Sequence, residues 1–182
     1  MRRAQMALCE KILVAGFSGA GKTSLVQALK SSSPEEWDYF DDLDRLVLKN
    51  RGKGFSSVSQ LIEAKGWEAF RLWERQELEG WLKQEGKGVL ALGGGSLSPL
   101  VWELFGKHRK IKFCHLKVPF ETSWKRLIGD ESEPRPLVQL GQGKLRELFA
   151  ERNKVFDQIQ WQLDGTKNLQ ILVREFWESL SK

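Results

Sequence analysis

The residues with the clearest chemical potential form a glycine-rich stretch at positions 16–23, which reads Gly-Phe-Ser-Gly-Ala-Gly-Lys-Thr. It matches G-x-x-x-x-G-K-[ST] in full, with an apolar run before it and a helical pattern after it. Glycines let backbone N–H groups close around phosphate oxygens, while a lysine reaches the β- and γ-phosphates and a threonine hydroxyl binds Mg²⁺. The stretch predicts nucleotide binding by Gly19, Ala20, Gly21, Lys22, Thr23 and Ser24, with Thr23 also at the metal.

A phosphate loop alone does not choose among kinases, GTPases, ATPases and motors. The chain has no N-K-x-D base reader, and no aspartate ends the apolar runs VLAL and KFCHLKV. The second protein group for a metal must therefore lie elsewhere. Asp41, Asp42 and Asp44 follow a short run at Asp38–Phe40, and they can hold Mg²⁺ through water or take a proton from an attacking hydroxyl.

Five short apolar runs alternate with amphipathic segments. The predicted strands are Lys11–Ala15, Asp38–Phe40, Val89–Leu92, Ile111–Val118 and Trp161–Leu163. The predicted helices are Thr23–Lys30, Leu43–Lys49, Val58–Ala64, Glu68–Gln84, Pro99–Gly106, Phe120–Ile128, Lys144–Ile159 and Asn168–Leu180. Such alternation predicts an α/β fold, a parallel sheet covered by helices on both faces. Ligands of such sheets bind at the carboxyl ends of the strands.

Composition narrows the class of protein further. The chain has 182 residues, 41% of them hydrophobic, which suits one domain over residues 1–182. No apolar run approaches the ~20 residues of a membrane span, and two cysteines suit a reducing cytoplasm. The net charge of +5 is dispersed, which favours cationic side chains in a cleft over a nucleic-acid-binding stripe. Trp67, Trp73 and Trp81 recur near helical spacing, which is typical of core packing.

Further segments follow the phosphate loop in a specific order. They are Asp42-Leu43-Asp44, Gly66-Trp67-Glu68-Ala69-Phe70-Arg71 with Glu74, Gly93-Gly94-Gly95, Arg135-Pro136-Leu137 and Glu151-Arg152-Asn153. Together with the loop they resemble the shikimate kinase family, whose marks are D-x-D, G-E-x-x-F-R-x-x-E, G-G-G, R-P-L-L and R-x-P-x-Y. The likeness runs from Ile12 to about Thr166. It implies the nucleoside-monophosphate-kinase fold: a five-stranded parallel sheet, a substrate-binding insert at about 43–71 and a lid at about 126–140.

The resemblance also implies an activity and a set of roles. The expected reaction moves the γ-phosphoryl group of MgATP to the 3-hydroxyl of shikimate, in a cytoplasmic and monomeric enzyme with no nucleic-acid or membrane partner. Spacing to the next helix favours Asp42 over Asp41 at the metal and leaves Asp44 for the substrate hydroxyls and their proton. The catalytic set is then Lys22, Asp44 and Arg135, and Arg126 and Arg135 join the nucleotide-binding residues.

The substrate side of the resemblance rests on arginines and glycines. Arg71 precedes Glu74 by three residues on a helix, a pair that can fix a guanidinium for a bidentate grip on a carboxylate, although many such pairs are only surface pairs. Phe70, the residue before Arg71, can pack against the ring of a small substrate. The implied substrate-binding set is Asp44, Phe70, Arg71, Gly93, Gly94, Gly95 and Arg152.

Departures from the family pattern include three positions. Lys154 replaces a proline, Phe156 replaces a tyrosine, and Leu48 stands where a glutamate is usual. The altered neighbours of Arg152 leave open a kinase for another small hydroxy acid such as gluconate. A nucleotide-binding regulatory module that has lost catalysis is a second alternative. A nucleic-acid binder is a third, supported only by the pI near 9.2.

Overall fold

The structure is a computed structural model that describes residues 11–106, 108–129 and 136–180. Its strands are β1 (Lys11–Ala15), β2 (Trp37–Asp42), β3 (Lys87–Ala91), β4 (Ile111–Lys117) and β5 (Trp161–Asp164). Its helices are α1 (Lys22–Ser31), α2 (Leu43–Arg51), α3 (Val58–Leu82), α4 (Pro99–Phe105), α5 (Phe120–Ile128), α6 (Gly141–Phe156) and α7 (Leu169–Leu180). A 3₁₀ turn at Val138–Leu140 precedes α6.

The five strands form one parallel sheet in the order β2-β3-β1-β4-β5. Every residue of β1 is buried, as expected for the central strand of a parallel sheet covered on both sides. Leu13 and Ala15 pack with α3, α4, α5 and α6 on one face, while Ile12 and Val14 pack with α1 and α7 on the other. The predicted three-layer α/β fold is therefore confirmed.

Helix α3 contains a break at Gly66, whose φ of 84° and ψ of 161° are not helical. The prediction of two helical segments on either side of this glycine is thus confirmed. Ser57 caps the first segment, because its side chain accepts a hydrogen bond from the Gln60 N–H at 3.2 Å. Residues of both segments, among them Leu61 and Phe70, join Val47 of α2 in a small apolar cluster of their own.

Several element boundaries differ from the sequence prediction by one to three residues, and β2 and α6 are examples. β2 continues through Asp42, because Asp41 pairs with Leu90 and Asp42 with Ala91 of β3. Helix α6 begins at Gly141 and ends at Phe156, about three residues earlier at each end than predicted. Residues 157–159 instead form a turn in which backbone N–H groups donate to the last carbonyls of the helix. In the part of the chain that the structure describes, no helix is long and apolar enough to cross a membrane.

Candidate active site

The glycine-rich loop joins β1 to α1 at the carboxyl end of the central strand. Gly19 and Gly21 adopt φ values of 80° and 98°, a region that side chains other than glycine rarely enter. A Cβ at Gly19 would also lie 2.8 Å from the Ser123 carbonyl oxygen. Lys22 Nζ donates to the carbonyls of Gly16 and Phe17 at 2.8 and 2.9 Å. The loop therefore leads directly into the N-terminus of α1, and a glycine loop at a helix N-terminus can bind phosphate.

The metal candidates Thr23 and Asp42 are in direct contact. Thr23 Oγ1 donates to Asp42 Oδ2 at 2.5 Å, and Asp42 Oδ1 accepts from the Arg45 N–H at 3.1 Å, which caps α2. Asp41 points elsewhere, since its Oδ2 accepts from Trp81 Nε1 at 2.7 Å. This geometry favours Asp42 at the metal. A hydroxyl and a carboxylate oxygen beside the phosphate loop fit Mg²⁺, which prefers oxygen ligands and binds few protein groups.

A cavity of about 580 Å³ opens next to these two residues. Polar side chains and glycines from five segments line it: Ser18, Thr23, Ser24, Asp42, Asp44, Arg71, Glu74, Gly93, Gly94, Gly95 and Arg152. Apolar side chains of the α2–α3 region form another part of its wall: Leu48, Val58, Ile62, Trp67 and Phe70. All the residues predicted for the metal and the substrate thus line one cavity beside the phosphate loop.

The carboxyl group of Asp44 lies buried in the wall of the cavity, and its pKa is raised. Its Oδ1 atom is buried and has no hydrogen-bond partner among the described residues. Burial raises the pKa of this carboxyl from 3.8 to about 7, and the negative charges of Glu74 and Asp42 add to the rise, against the opposing charges of Lys22 and Arg71. A carboxyl with a pKa near neutral pH can accept a proton from a substrate hydroxyl and release it again.

Arg71 and Arg152 come from separate helices and converge above Gly95. Arg71 Nη1 donates to Glu74 Oε2, and Arg152 Nη1 donates to the Gly94 carbonyl at 3.0 Å. A Cβ at Gly95 would lie 2.7 Å from Arg152 Nη2 and closer still to Arg71 Nη2. Desolvation, with the charge of Arg71, lowers the pKa of Arg152 to about 10, so the Arg152 guanidinium is cationic at neutral pH. Two such cations side by side form a site for a carboxylate.

Each of the three consecutive glycines has a different neighbour. A Cβ at Gly93 would lie 2.5 Å from Asp44 Oδ1, and one at Gly94 would lie 2.8 Å from the backbone nitrogen of Ser18 in the phosphate loop. Gly95 leaves room for the two guanidinium groups. The sequence predicted close backbone approach to a ligand at these glycines. The structure adds a second reason for glycine at these positions. Because glycine has no side chain, Asp44, the phosphate loop and the two arginines can all approach the end of β3.

Arg126 and Arg135 are the two predicted nucleotide contacts outside the phosphate loop. Arg126 binds protein backbone, because its guanidinium donates to the carbonyls of Gly19, Ala20 and Gly165 at 3.3, 3.0 and 3.1 Å. It thereby ties the phosphate loop to the turn after β5, and an adenine or phosphate contact stays a prediction. Arg135 lies outside the described residues.

Trp67 is the residue that sequence reasoning assigned wrongly. Trp81 is buried as expected of a core residue, but the Trp67 side chain is 40% exposed. Its ring centroid lies 5.0 Å from Arg71 Cζ and 6.2 Å from that of Phe70. Trp67 therefore stacks on the arginine as a cation–π partner at the rim of the cavity. The available signal was the spacing of four residues between Trp67 and Arg71 on one helix.

The three departures from the family pattern differ in their consequences. Lys154 is exposed on α6. Phe156 is buried, with its ring 5.2 Å from that of His115, so its side chain belongs to the core. Leu48 lines the cavity and makes its wall more apolar. Of the three, only the change at Leu48 reaches the space where a substrate can lie.

Fold and site together define the class of protein: a P-loop phosphotransferase whose acceptor cavity contains the Arg71 and Arg152 guanidinium groups and the Asp44 carboxyl. Comparison with known proteins then identifies the family. The family model described as shikimate kinase matches residues 18–181, and the chain belongs to the shikimate kinase family, a family of kinases.

Individual relatives agree with this assignment. The shikimate kinase of Streptococcus gordonii is 30% identical over 150 residues, which is 82% of this chain and 85% of the relative. The crystal structure of shikimate kinase from Aquifex aeolicus matches with a TM-score of 0.76 and 28% identity, over 94% of this chain and 96% of that one. The fold also matches shikimate kinase from Acinetobacter baumannii in complex with shikimate, with a TM-score of 0.78 and 22% identity over 95% and 93% of the two chains.

Proposed function

We propose that this protein transfers the γ-phosphoryl group of MgATP to the 3-hydroxyl of shikimate. The observation that carries the proposal is the convergence of Arg71 and Arg152 above Gly95, in the same cavity as Thr23 and Asp42. This arrangement offers a grip for a carboxylate close to a site for a phosphorylated nucleotide. Membership of the family supplies the identity of the acid.

The phosphate side of the reaction rests on four groups. The loop N–H groups bind the phosphates, Lys22 follows the negative charge on the β- and γ-phosphates, and Thr23 and Asp42 hold Mg²⁺. When bound, the ion neutralises charge on the transferred group. Arg135 is our proposal for a further cation over the phosphates, brought there by a lid at about 126–140. Closure of such a lid excludes water that would otherwise compete as acceptor.

On the acceptor side, the carboxylate of the substrate binds the two guanidinium groups, and its ring packs on the apolar wall that includes Phe70. Asp44 orients the acceptor hydroxyl. As the hydroxyl oxygen bonds to the γ-phosphorus, the bond from phosphorus to the bridging oxygen breaks and ADP leaves. The hydroxyl proton passes to Asp44, whose raised pKa suits this role. Residues 43–71 act as the substrate-binding insert in this proposal.

Two other functions make different demands on the cavity. A kinase for another hydroxy acid such as gluconate also needs the arginine pair, but its open-chain acceptor gains less from an apolar wall. A regulatory module that has lost catalysis has no need of an acid with a pKa near 7. The presence of Asp44 in the same cavity as both arginines favours an active kinase, and the apolar wall favours a cyclic acid as acceptor.

The test is an ADP-release assay with MgATP against shikimate, gluconate and related hydroxy acids. We expect turnover with shikimate, and a loss of about 10- to 100-fold in kcat/KM for it in Arg71→Ala. That factor corresponds to ~1.5–3 kcal/mol for a charge-assisted bidentate contact. Arg71→Lys recovers only part of the loss, because an ammonium has no planar fork. The matched control is Arg75→Ala, on the same helix but outside the cavity.

The outcomes separate the candidates. A folded wild-type protein that binds ATP but releases no ADP with shikimate contradicts the proposal. Turnover with gluconate alone assigns the cavity to another acid. If Arg71→Ala loses affinity for ATP and keeps its affinity for the acid, the arginine belongs to the nucleotide site and the carboxylate grip is wrong.

A further inference from the structure

Ser96 directly follows the three glycines and has no counterpart among the expected site residues. Its backbone N–H donates to the Gly93 carbonyl at 3.0 Å, which closes a tight turn after β3. Its side chain is buried, and its Oγ donates to Glu74 Oε1 at 2.5 Å. The hydroxyl therefore reaches across from the strand end to α3 and binds one oxygen of a buried carboxylate.

The other oxygen of that carboxylate holds the substrate arginine. Glu74 is only 2% exposed, and its Oε2 accepts from Arg71 Nη1. The three side chains form one chain of hydrogen bonds, from the Ser96 hydroxyl through the Glu74 carboxylate to the Arg71 guanidinium. Because the Arg71 side chain is one-third exposed and has many rotamers of its own, its direction depends on the carboxylate that binds it and on the Trp67 ring that stacks on it.

Glu74 needs the hydroxyl because of its neighbours. A Cβ at Gly93 would lie 2.5 Å from Glu74 Oε1 and equally close to Asp44 Oδ1, so the two acids face each other across one small space. The negative charge of Asp42 and the positive charges of Lys22 and Arg71 also act on Asp44. Without the hydroxyl, Glu74 Oε1 would be a buried acceptor left beside another acid. The carboxylate would then lower its energy by rotating away, and the Arg71 guanidinium bound to its other oxygen would move with it.

We propose that Ser96 is a positioning residue for the acid substrate: its hydroxyl fixes Glu74, which in turn aims the Arg71 guanidinium at the substrate carboxylate. This inference rests on the proposed function, since it assigns Ser96 a part in the same carboxylate grip. Ser96 touches neither substrate nor nucleotide in this role. Its removal should therefore change the affinity for the acid and leave the affinity for ATP unchanged.

The experiment is a double-mutant cycle of Ser96→Ala and Arg71→Ala, with Ser98→Ala as the control. Ser98 lies two residues away, and its hydroxyl only caps α4 through the Val101 N–H at 3.3 Å. For each variant, KM for shikimate, KM for ATP and kcat are measured, with calorimetric binding of shikimate and a thermal melt. Ser96→Cys is the second variant, because it keeps the shape of serine but has only a weak donor.

We expect Ser96→Ala to raise KM and Kd for shikimate about tenfold, with KM for ATP and kcat within about twofold of the wild type. In the Arg71→Ala background the same change should have almost no further effect, because the guanidinium that it positions is gone. Ser96→Cys should resemble Ser96→Ala. Ser98→Ala should lower the melting temperature and leave KM for shikimate unchanged.

The possible failures are distinguishable. If the wild-type protein binds no shikimate, the proposed function fails and this inference fails with it. If the wild type binds shikimate and both Ser96 variants match it, only the inference is wrong. An equal loss for shikimate and ATP, or a loss that persists in the Arg71→Ala background, shows a general structural role and overturns the positioning role.

Discussion

Replacement of Asp44 by asparagine should make the protein more stable at neutral and alkaline pH. Burial and the charges of Glu74 and Asp42 raise the pKa of Asp44 from 3.8 to about 7. Between those two pH values the folded protein keeps a proton that the unfolded chain releases. The stability that this proton contributes is fully present below pH ~3.8 and is lost as the pH rises through about 7. The asparagine side chain has the shape of the neutral acid and no charge to bury.

The size of the effect follows from the shift. About three pKa units correspond to at most about 4 kcal/mol, at 1.36 kcal/mol per unit. We therefore expect Asp44→Asn to match the wild type in free energy of unfolding near pH 4, and to exceed it by ~2–4 kcal/mol at pH 8.5. The gain should develop mainly between about pH 4 and 7, the interval between the two pKa values. The amide can also donate to the neighbouring Glu74, which an ionised Asp44 cannot do.

Urea denaturation across this pH range, without nucleotide or Mg²⁺, measures the difference. The control is Asp157→Asn, an exposed aspartate paired with Lys117 at 3.1 Å, for which the difference from wild type should stay constant from pH 5 to 8.5. The Asp44→Asn variant should also be catalytically inactive, since an amide cannot accept the hydroxyl proton. A difference that does not change with pH, or an Asp44→Asn protein less stable than wild type at pH 8.5, would refute the reasoning from burial and like charge.

Two further changes test other parts of the site. Asp42→Asn should raise the Mg²⁺ concentration for half-maximal turnover at least about tenfold, because a neutral amide replaces the proposed carboxylate ligand. The control, Asp41→Asn, affects the hydrogen bond to Trp81 and should leave this Mg²⁺ concentration unchanged. The reverse result would assign the metal to Asp41. Gly95→Ala should raise KM for the acid substrate at least about tenfold and leave KM for ATP unchanged, because a methyl group would fill the space of both guanidinium groups. An unchanged KM for the acid would contradict the convergence of Arg71 and Arg152 at Gly95.

Local patterns in the sequence were enough for the elements nearest to the phosphate chemistry. β1 is found at Lys11–Ala15 as predicted, because a short apolar run before a glycine loop has few other ways to fold. Helix α5 also begins and ends where expected, at Phe120 and Ile128. Several other boundaries were predicted wrongly; among them, the end of β2 depends on pairing with β3, and the end of α6 depends on the turn that follows it. A window of sequence contains neither.

For the functional site as well, some features could be predicted from local sequence and others depended on the tertiary structure. The phosphate loop could be identified from residue types and spacing alone, whereas Arg71 and Arg152 were expected at the substrate only because the order of the motifs resembles the family. Which of two adjacent aspartates turns toward Thr23 was decided by the register of β2 beside β3, because neighbouring strand residues point to opposite faces. Trp67 was taken for a core residue, since helical spacing shows which residues share a face but not whether that face is covered.

The sequence by itself therefore determined the elements, the nucleotide loop and the family, because each depends on residue types at short spacing. Only the tertiary structure decided which groups share one space. It placed Ser96 on Glu74, Arg71 beside Arg152, and Asp44 among other acids, although these residues lie far apart in the chain. The pKa of a carboxyl and the direction of a guanidinium depend on such neighbours and on the water they exclude, and these are properties of the packed fold rather than of any segment.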